Sequence, residues 1–210
     1  MRTPHAYDTI KLQSKDPQEI DVVVPLSRIE NMWALEGDKK MPLPTRQRHL
    51  LVDDDGNFPI EKLGDWEETV LDTELEREDT VAWYRNPSTA SKHAIQVPWF
   101  DGQRWRSMQP DFIFFTKLAD RTVGASIVDP HGHHLQDALG KLKGLADFAE
   151  EYSDEFVRID AISKNDKGDL GGDTKGAVLL LDLLDKDVRK VVRASASAAE
   201  AYRDAGVKYE

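Results

Sequence analysis

Gln109-Pro-Asp-Phe-Ile-Phe-Phe-Thr-Lys-Leu-Ala-Asp-Arg-Thr-Val-Gly-Ala-Ser-Ile-Val-Asp-Pro-His-Gly-His-His134 decides how this chain is read. It holds two strongly apolar runs, Asp111 to Phe115 and Thr122 to Val128, joined through Leu118-Ala-Asp-Arg121. Short, near-continuous apolar runs bounded by turn residues predict central strands covered on both faces. The first opens on Asp111, directly after Pro110, and a proline here stands outside a central ladder. The second closes on Asp129, with Pro130, His131, His133 and His134 behind it. A carboxylate at the end of an apolar strand must be solvated, hydrogen-bonded or bound to a cation. A hairpin of these two strands brings the start of one beside the end of the other, and so Asp111 beside Asp129. Two carboxylates from neighbouring strands make a hard-cation site suited to Mg²⁺ or Mn²⁺.

Working outward, Trp66 to Glu78 predicts a helix with Asp65 as its cap, and Thr80 to Tyr84 a strand. Ala94 to Phe100 and Arg104 to Met108 predict a hairpin through Asp101-Gly102. His134 to Tyr152 carries Leu135, Ala138, Leu139, Leu142, Leu145, Ala146 and Ala149 on one helical stripe. Phe156 to Ile162 and Ala177 to Leu181 predict two more strands, and Asp187 to Ala205 an Ala-rich helix with a break. The expected fold is α/β, a mixed central β-sheet flanked by helices, over residues 65–210. Residues 1–64 predict an irregular N-terminal connector or small subdomain. It has a strand at Ile20 to Val24, a helix at Leu26 to Leu35, a strand at His49 to Val52 and a turn at Asp53 to Gly56. The text opens without a clear domain start, as in a C-terminal piece of something longer.

Composition narrows the function. The 210 residues contain 28 Lys and Arg against 39 Asp and Glu, a formal charge of −11, and no cysteine. Thiol nucleophiles, zinc ribbons and disulfide scaffolds are excluded. An acidic composition argues against a free-standing tight nucleic-acid binder, and does not exclude a nuclease, because metal-dependent sites are themselves carboxylate-rich. No apolar run approaches the roughly 18 residues of a membrane span. Met1 to Asp8 has no apolar h-region, so the expected location is cytoplasmic.

Pro110-Asp111, an apolar strand, a turn, a second apolar strand ending in an acid-x-base triplet and a following helix resemble the PD-(D/E)xK nuclease fold. Trp66-Glu67 and Glu74 on a helix, Ala82-Trp-Tyr-Arg-Asn-Pro87 and Gln109-Pro-Asp-Phe-Ile113 extend the resemblance. Together they look like the endonuclease domain at the C-terminus of type III restriction subunits and related defence helicases. The resemblance covers roughly 65–162. It implies a Mg²⁺- or Mn²⁺-dependent endonuclease acting on DNA, beside a helicase or ATPase motor in the same or another chain. Asp111 matches the first metal-binding acid and Asp129 the second, which is more often Glu. His131 stands where the family has Lys. Either the histidine takes over part of that role, or Lys141, on a helix flank with His134 and Asp137, supplies a relocated Lys. Snorkelling over the core is the plainer role for Lys141. The family also places an acid on the first helix. Glu67 and Glu74 share one face there, and Glu74 is the expected metal-site member. A surface pairing of that acid with Arg77 or Arg85 is the structural alternative.

Asp129-Pro-His-Gly-His133 also resembles the Asp-x-His-x-His signature of zinc-type hydrolases. Too little chain follows it for the (β/α)₈ barrel that this signature usually opens, which takes about 250 residues. Trp99 and Trp105, near Arg104 and Arg106, are candidates for nucleic-acid stacking and contact, although core packing is the commoner role of such tryptophans. Gly168 to Gly176 is Gly-rich without the P-loop order. A nuclease fold kept only for DNA binding or assembly is the alternative from another functional class.

Overall fold

Strands β8 (Phe112–Lys117) and β9 (Val123–Pro130) form an antiparallel hairpin, in register from Phe112 opposite Val128 to Lys117 opposite Val123. It lies inside a six-stranded sheet in the computed structural model, which describes residues 33–36, 39–60, 63–89, 91–170 and 174–209. The other members are β5 (Thr80–Arg85), β10 (Arg158–Lys164), β11 (Val178–Asp182) and β12 (Val207–Lys208). The order is β12-β11-β10-β9-β8-β5, with β9 and β10 parallel and the remaining pairs antiparallel. The protein is therefore α/β with a mixed central sheet. Helix α2 (Ala138–Glu151) is the crossover that a parallel pair requires.

Alternation along the strands explains why both faces are covered. Phe112, Phe114, Val128 and Ile162 pack with Val70 and Leu71 of helix α1 (Asp65–Glu76). Ile127, Ile159 and Ala161 point the other way, onto Leu142, Leu145, Ala146 and Ala149 of α2. Helices α3 (Lys186–Ala194) and α4 (Ala198–Ala205) join that second core, the break between them capped by Ser197, whose hydroxyl accepts from Glu200 N–H at 3.1 Å. The hairpin of β6 (Val97–Phe100) and β7 (Trp105–Met108) lies against α2. Gly140 and Gly144 permit this approach, since a Cβ at either would sit within 2.7 Å of Trp99 atoms. Among the described residues no helix is long and apolar enough to cross a membrane.

Several boundaries differ from the sequence reading. Helix α1 includes Asp65 and is preceded by Gly64, whose N–H donates to Glu67 Oε2 at 2.7 Å. Helix α2 starts at Ala138, not His134, because His133 is tied down by Ser163 before the helix can begin. Leu135 is consequently exposed and leaves the apolar stripe. The expected strand at Ile20 to Val24 lies outside the described residues. So does most of the expected helix at Leu26 to Leu35, whose last three residues instead belong to β1 (Trp33–Glu36), paired with β2 (Lys39–Pro42). His49 makes a single bridge to Trp83 where a strand was expected. The ladder there joins β3 (Thr45–Gln47) to β4 (Asn57–Pro59), around the expected turn, with Gly56 at φ 79°.

Candidate active site

One residue beyond the last registered β8–β9 pair, Phe112 opposite Val128, lie Asp111 and Asp129. The backbone N–H of Asp111 donates to Asp129 Oδ1 at 3.0 Å. Asp129 is buried, 5 % exposed, and its neighbour on parallel β10 is the small Ala161. Arg85, the last residue of β5, brings Nη1 to 3.0 Å from Asp111 Oδ1 and Nη2 to 4.0 Å from Glu67 Oε1. The first turn of α1, the end of β5, the start of β8 and the end of β9 thus meet around three carboxylates and one guanidinium. Burial pushes the Asp111 carboxyl above the ordinary carboxylate range, and the nearby charge of Asp129 adds to the shift. Burial also raises Asp129, against the opposing pull of the Asp111 N–H, Lys141 and Arg85.

Lys141 approaches Asp129 from α2. Its Nζ is 2.8 Å from Asp137 Oδ2, one helical turn earlier. His131 Nε2 lies 3.8 Å from the other oxygen of Asp137 and is buried without a hydrogen bond among the described residues. Burial, then the charge of Lys141, lowers the His131 pKa and favours the neutral ring. Asp129, His131, His133, Lys141 and Tyr202 line a cavity of about 20 Å³, room for one water molecule. Of the sequence-named residues, Asp111, Asp129, His131 and Lys141 therefore come together.

Glu74 does not join them. Two turns along α1 from Glu67, it is fully buried and pairs with Arg158 Nη2 at 2.6 Å, Arg77 Nε at 3.4 Å and the Tyr209 hydroxyl at 2.9 Å. Asp160 borders the same group, and burial pushes its carboxyl up to about 7. The helix acid near the Asp pair is Glu67, which shares the Glu74 face but sits at the end of α1 nearest the β8 start. Arg85, the other member that the sequence reading left out as a site residue, was visible there only as an ion-pair partner.

Arg104 and Arg106 turn onto Asp101 within their own hairpin, Arg104 Nε at 3.9 Å and Arg106 in a direct hydrogen bond. Arg106 also lines an open groove with Phe100, Gln136 and Asp137, so the hairpin borders the Lys141 side of the site. Trp99 is packed on α2, whereas Trp105 is exposed. His133 spends both ring nitrogens, on Ser163 Oγ at 2.8 Å and Asp169 Oδ1 at 3.1 Å, leaving none for a zinc ion in an Asp-x-His-x-His site. Asn165 holds together the ends of the Gly-rich loop, donating to Thr174 Oγ1 at 2.8 Å and accepting from Gly176 N–H at 2.7 Å.

Among the described residues no group of three His, Asp or Glu side chains is arranged as a ready metal cage. Mg²⁺ and Mn²⁺ ask for less. They bind through one or two carboxylates and complete their shells with water and substrate phosphate. Asp111 and Asp129 fit that demand, and they do not fit a closed zinc site.

The chain belongs to the YagJ family, which it matches over residues 47–210. Protein YagJ of Escherichia coli (strain K12) is 36% identical over 202 residues, 96% of this chain and 78% of that protein. No solved structure matches significantly.

Proposed function

We propose that this YagJ-family chain is a Mg²⁺- or Mn²⁺-dependent endodeoxyribonuclease, serving a restriction or phage-defence system with a helicase or ATPase motor. The observation that carries the reading is the convergence of the hydrogen-bonded Asp111–Asp129 pair with Glu67 and the Lys141–Asp137 pair at one end of the sheet. Asp111 and Asp129 would hold the ion, with Glu67 assisting. The ion, when bound, polarises the phosphodiester and acidifies water.

The chain's own groups supply the rest. In hydrolysis a water oxygen bonds to phosphorus, the P–O bond to the leaving sugar oxygen breaks, that oxygen takes up a proton from solvent, and the attacking water's proton passes to a base. His131, kept neutral by burial, is suited to accept that proton. Lys141, oriented by Asp137, is suited to steady negative charge beside Asp129. The net charge of −11 disfavours tight DNA binding by the domain alone, and tethering to a motor raises the local DNA concentration. A cytoplasmic location belongs to the same reading.

The test is nicking of supercoiled plasmid and of single-stranded DNA with Mn²⁺ or Mg²⁺, alone and with the motor, comparing wild type with Asp129→Ala. Cleavage by the wild type that the variant loses supports the reading. No cleavage in any arm overturns it in favour of a second reading, a nuclease fold kept for DNA binding or assembly. The contact that favours this second reading is Arg85, which already places a cation against Asp111.

A further inference from the structure

Arg85 is held from several directions. Its backbone N–H donates to His49 Nε2 at 3.0 Å, and the next N–H, of Asn86, donates to the Asp111 carbonyl at 3.0 Å. The guanidinium lies 4.6 Å from the centre of the Phe112 ring, a cation–π contact. From there it reaches Asp111 at 3.0 Å and Glu67 at 4.0 Å. The reach is incomplete. Nη1 is buried but makes no well-directed hydrogen bond among the described residues, so the contact is an ion pair without the two-pronged fork that arginine and carboxylate form at their strongest.

Two consequences follow from elementary electrostatics. A divalent ion on Asp111 and a guanidinium 3.0 Å from the same oxygen repel each other, so each weakens the other's hold. A phosphodiester offers the arginine a better-matched partner, because phosphate accepts the planar fork in two bonds. The same phosphate supplies oxygens that a Mg²⁺-type ion lacks when only two carboxylates hold it.

We propose that Arg85 is the resident counter-cation of the carboxylate cluster. It competes with the divalent ion for Asp111 in the DNA-free protein, and an incoming phosphodiester draws the guanidinium to itself and so yields Asp111 to the metal. Metal and substrate are thereby coupled, each tightening the other. This rests on the metal-site reading above.

The experiment is Mn²⁺ titration of the full chain by calorimetry, with and without a nuclease-resistant phosphorothioate oligonucleotide. Wild type is compared with Arg85→Met, Arg85→Lys and Asp111→Asn, all checked for folding by circular dichroism. Arg85→Met should bind Mn²⁺ about tenfold tighter than wild type without the oligonucleotide, the effect of removing a competing charge within 4–6 Å. Arg85→Lys, which keeps the charge, should stay near wild type, and serves alone if the methionine variant fails to fold, since tighter binding by it overturns the proposal. The oligonucleotide should tighten Mn²⁺ binding to wild type by more than it does to Arg85→Met, where the phosphate oxygens contribute but no counter-cation is drawn away. Wild-type binding that Arg85→Met leaves equal or weakens overturns the counter-cation role alone. No Mn²⁺ binding by any protein, with or without oligonucleotide, overturns the metal-site reading and the coupling with it.

Discussion

The carboxylate of Asp129 accepts the backbone N–H of Asp111 at 3.0 Å, so an acid near the end of β9 fixes the acid just before β8. The pair is built by the register of one hairpin. A one-residue slip of either strand would turn one of the two side chains to the opposite face of the sheet and separate the acids.

That bond separates two roles of Asp129. Asp129→Asn retains an oxygen that accepts from Asp111, whereas Asp129→Ala removes it. The asparagine variant should fold with nearly wild-type stability and lose Mn²⁺-dependent stabilisation and cleavage. The alanine variant should lose a further 1–2 kcal/mol or so, the order expected for an orphaned buried N–H. Thermal melting with and without Mn²⁺ reads both. A saturating ion should stabilise the wild type by about 2–3 kcal/mol at a hundredfold excess over Kd, and the asparagine variant not at all.

The raised carboxyls predict a pH dependence. The Asp111–Asp129 pair titrates with apparent values of about 7 and about 6, from an ordinary 3.8. A carboxyl raised on folding contributes stability below its unfolded value and loses it as pH rises through the folded value. The metal-free protein should thus lose stability from these groups between about pH 4 and pH 7. On the proposed metal-site reading, Mn²⁺ would have to displace protons in that range and would meet bare carboxylates above it. The Mn²⁺-induced rise in Tm should therefore be larger at pH 8 than at pH 5.5; an equal rise at both would show that the ion binds elsewhere.

Lys141 and His131 separate by their partners. Lys141 is ion-paired to Asp137, while His131 Nε2 faces the small cavity without a hydrogen bond among the described residues. Lys141→Met should lower the nicking rate by roughly 10²–10⁴ at every pH, as for a lost charge-stabilising or proton-transfer group. His131→Gln should lower it less and remove the inflection that a neutral-to-charged imidazole imposes at low pH. Asp137→Asn, which loosens Lys141 and removes the carboxylate charge beside His131, should fall between them and leave Mn²⁺ affinity unchanged.

The hairpin strands were legible because their apolar runs have one physical reading, and the pairing of Asp111 with Asp129 followed from adjacency of those runs. Lys141 was legible from helical spacing, even though α2 starts later than the pattern suggests. What escaped was set by tertiary contacts. Glu67 and Glu74 share a face of α1, and only the tertiary pairing of Glu67 with Arg85 and of Glu74 with Arg158 decides which end meets Asp111. Arg85 closes an ordinary-looking strand and becomes a site member because β5 pairs with β8. Arg104 and Arg106, candidates for nucleic-acid contact by sequence, both pair with Asp101 in the same turn.

Glu67 and Glu74 of α1 should show opposite phenotypes. Glu74 is fully buried against Arg158, Arg77 and Tyr209, joining α1 to β10 and to the residue that follows β12. Removing one partner of a buried pair leaves the other charge uncompensated, which costs about 3–5 kcal/mol when nothing replaces it. Glutamine keeps the hydrogen-bonding shape, so Glu74→Gln should cost about 2–4 kcal/mol, with Mn²⁺ affinity and nicking per folded molecule unchanged. Glu67 is half-buried, holds the Gly64 N–H and faces Arg85. Glu67→Gln should change stability by less than about 1 kcal/mol while weakening Mn²⁺ binding and cleavage severalfold. Urea melts beside calorimetric Mn²⁺ titrations separate the two. If Glu74→Gln instead spares stability and abolishes metal binding, the acid of α1 that serves the site is Glu74, and the assignment of Glu67 falls.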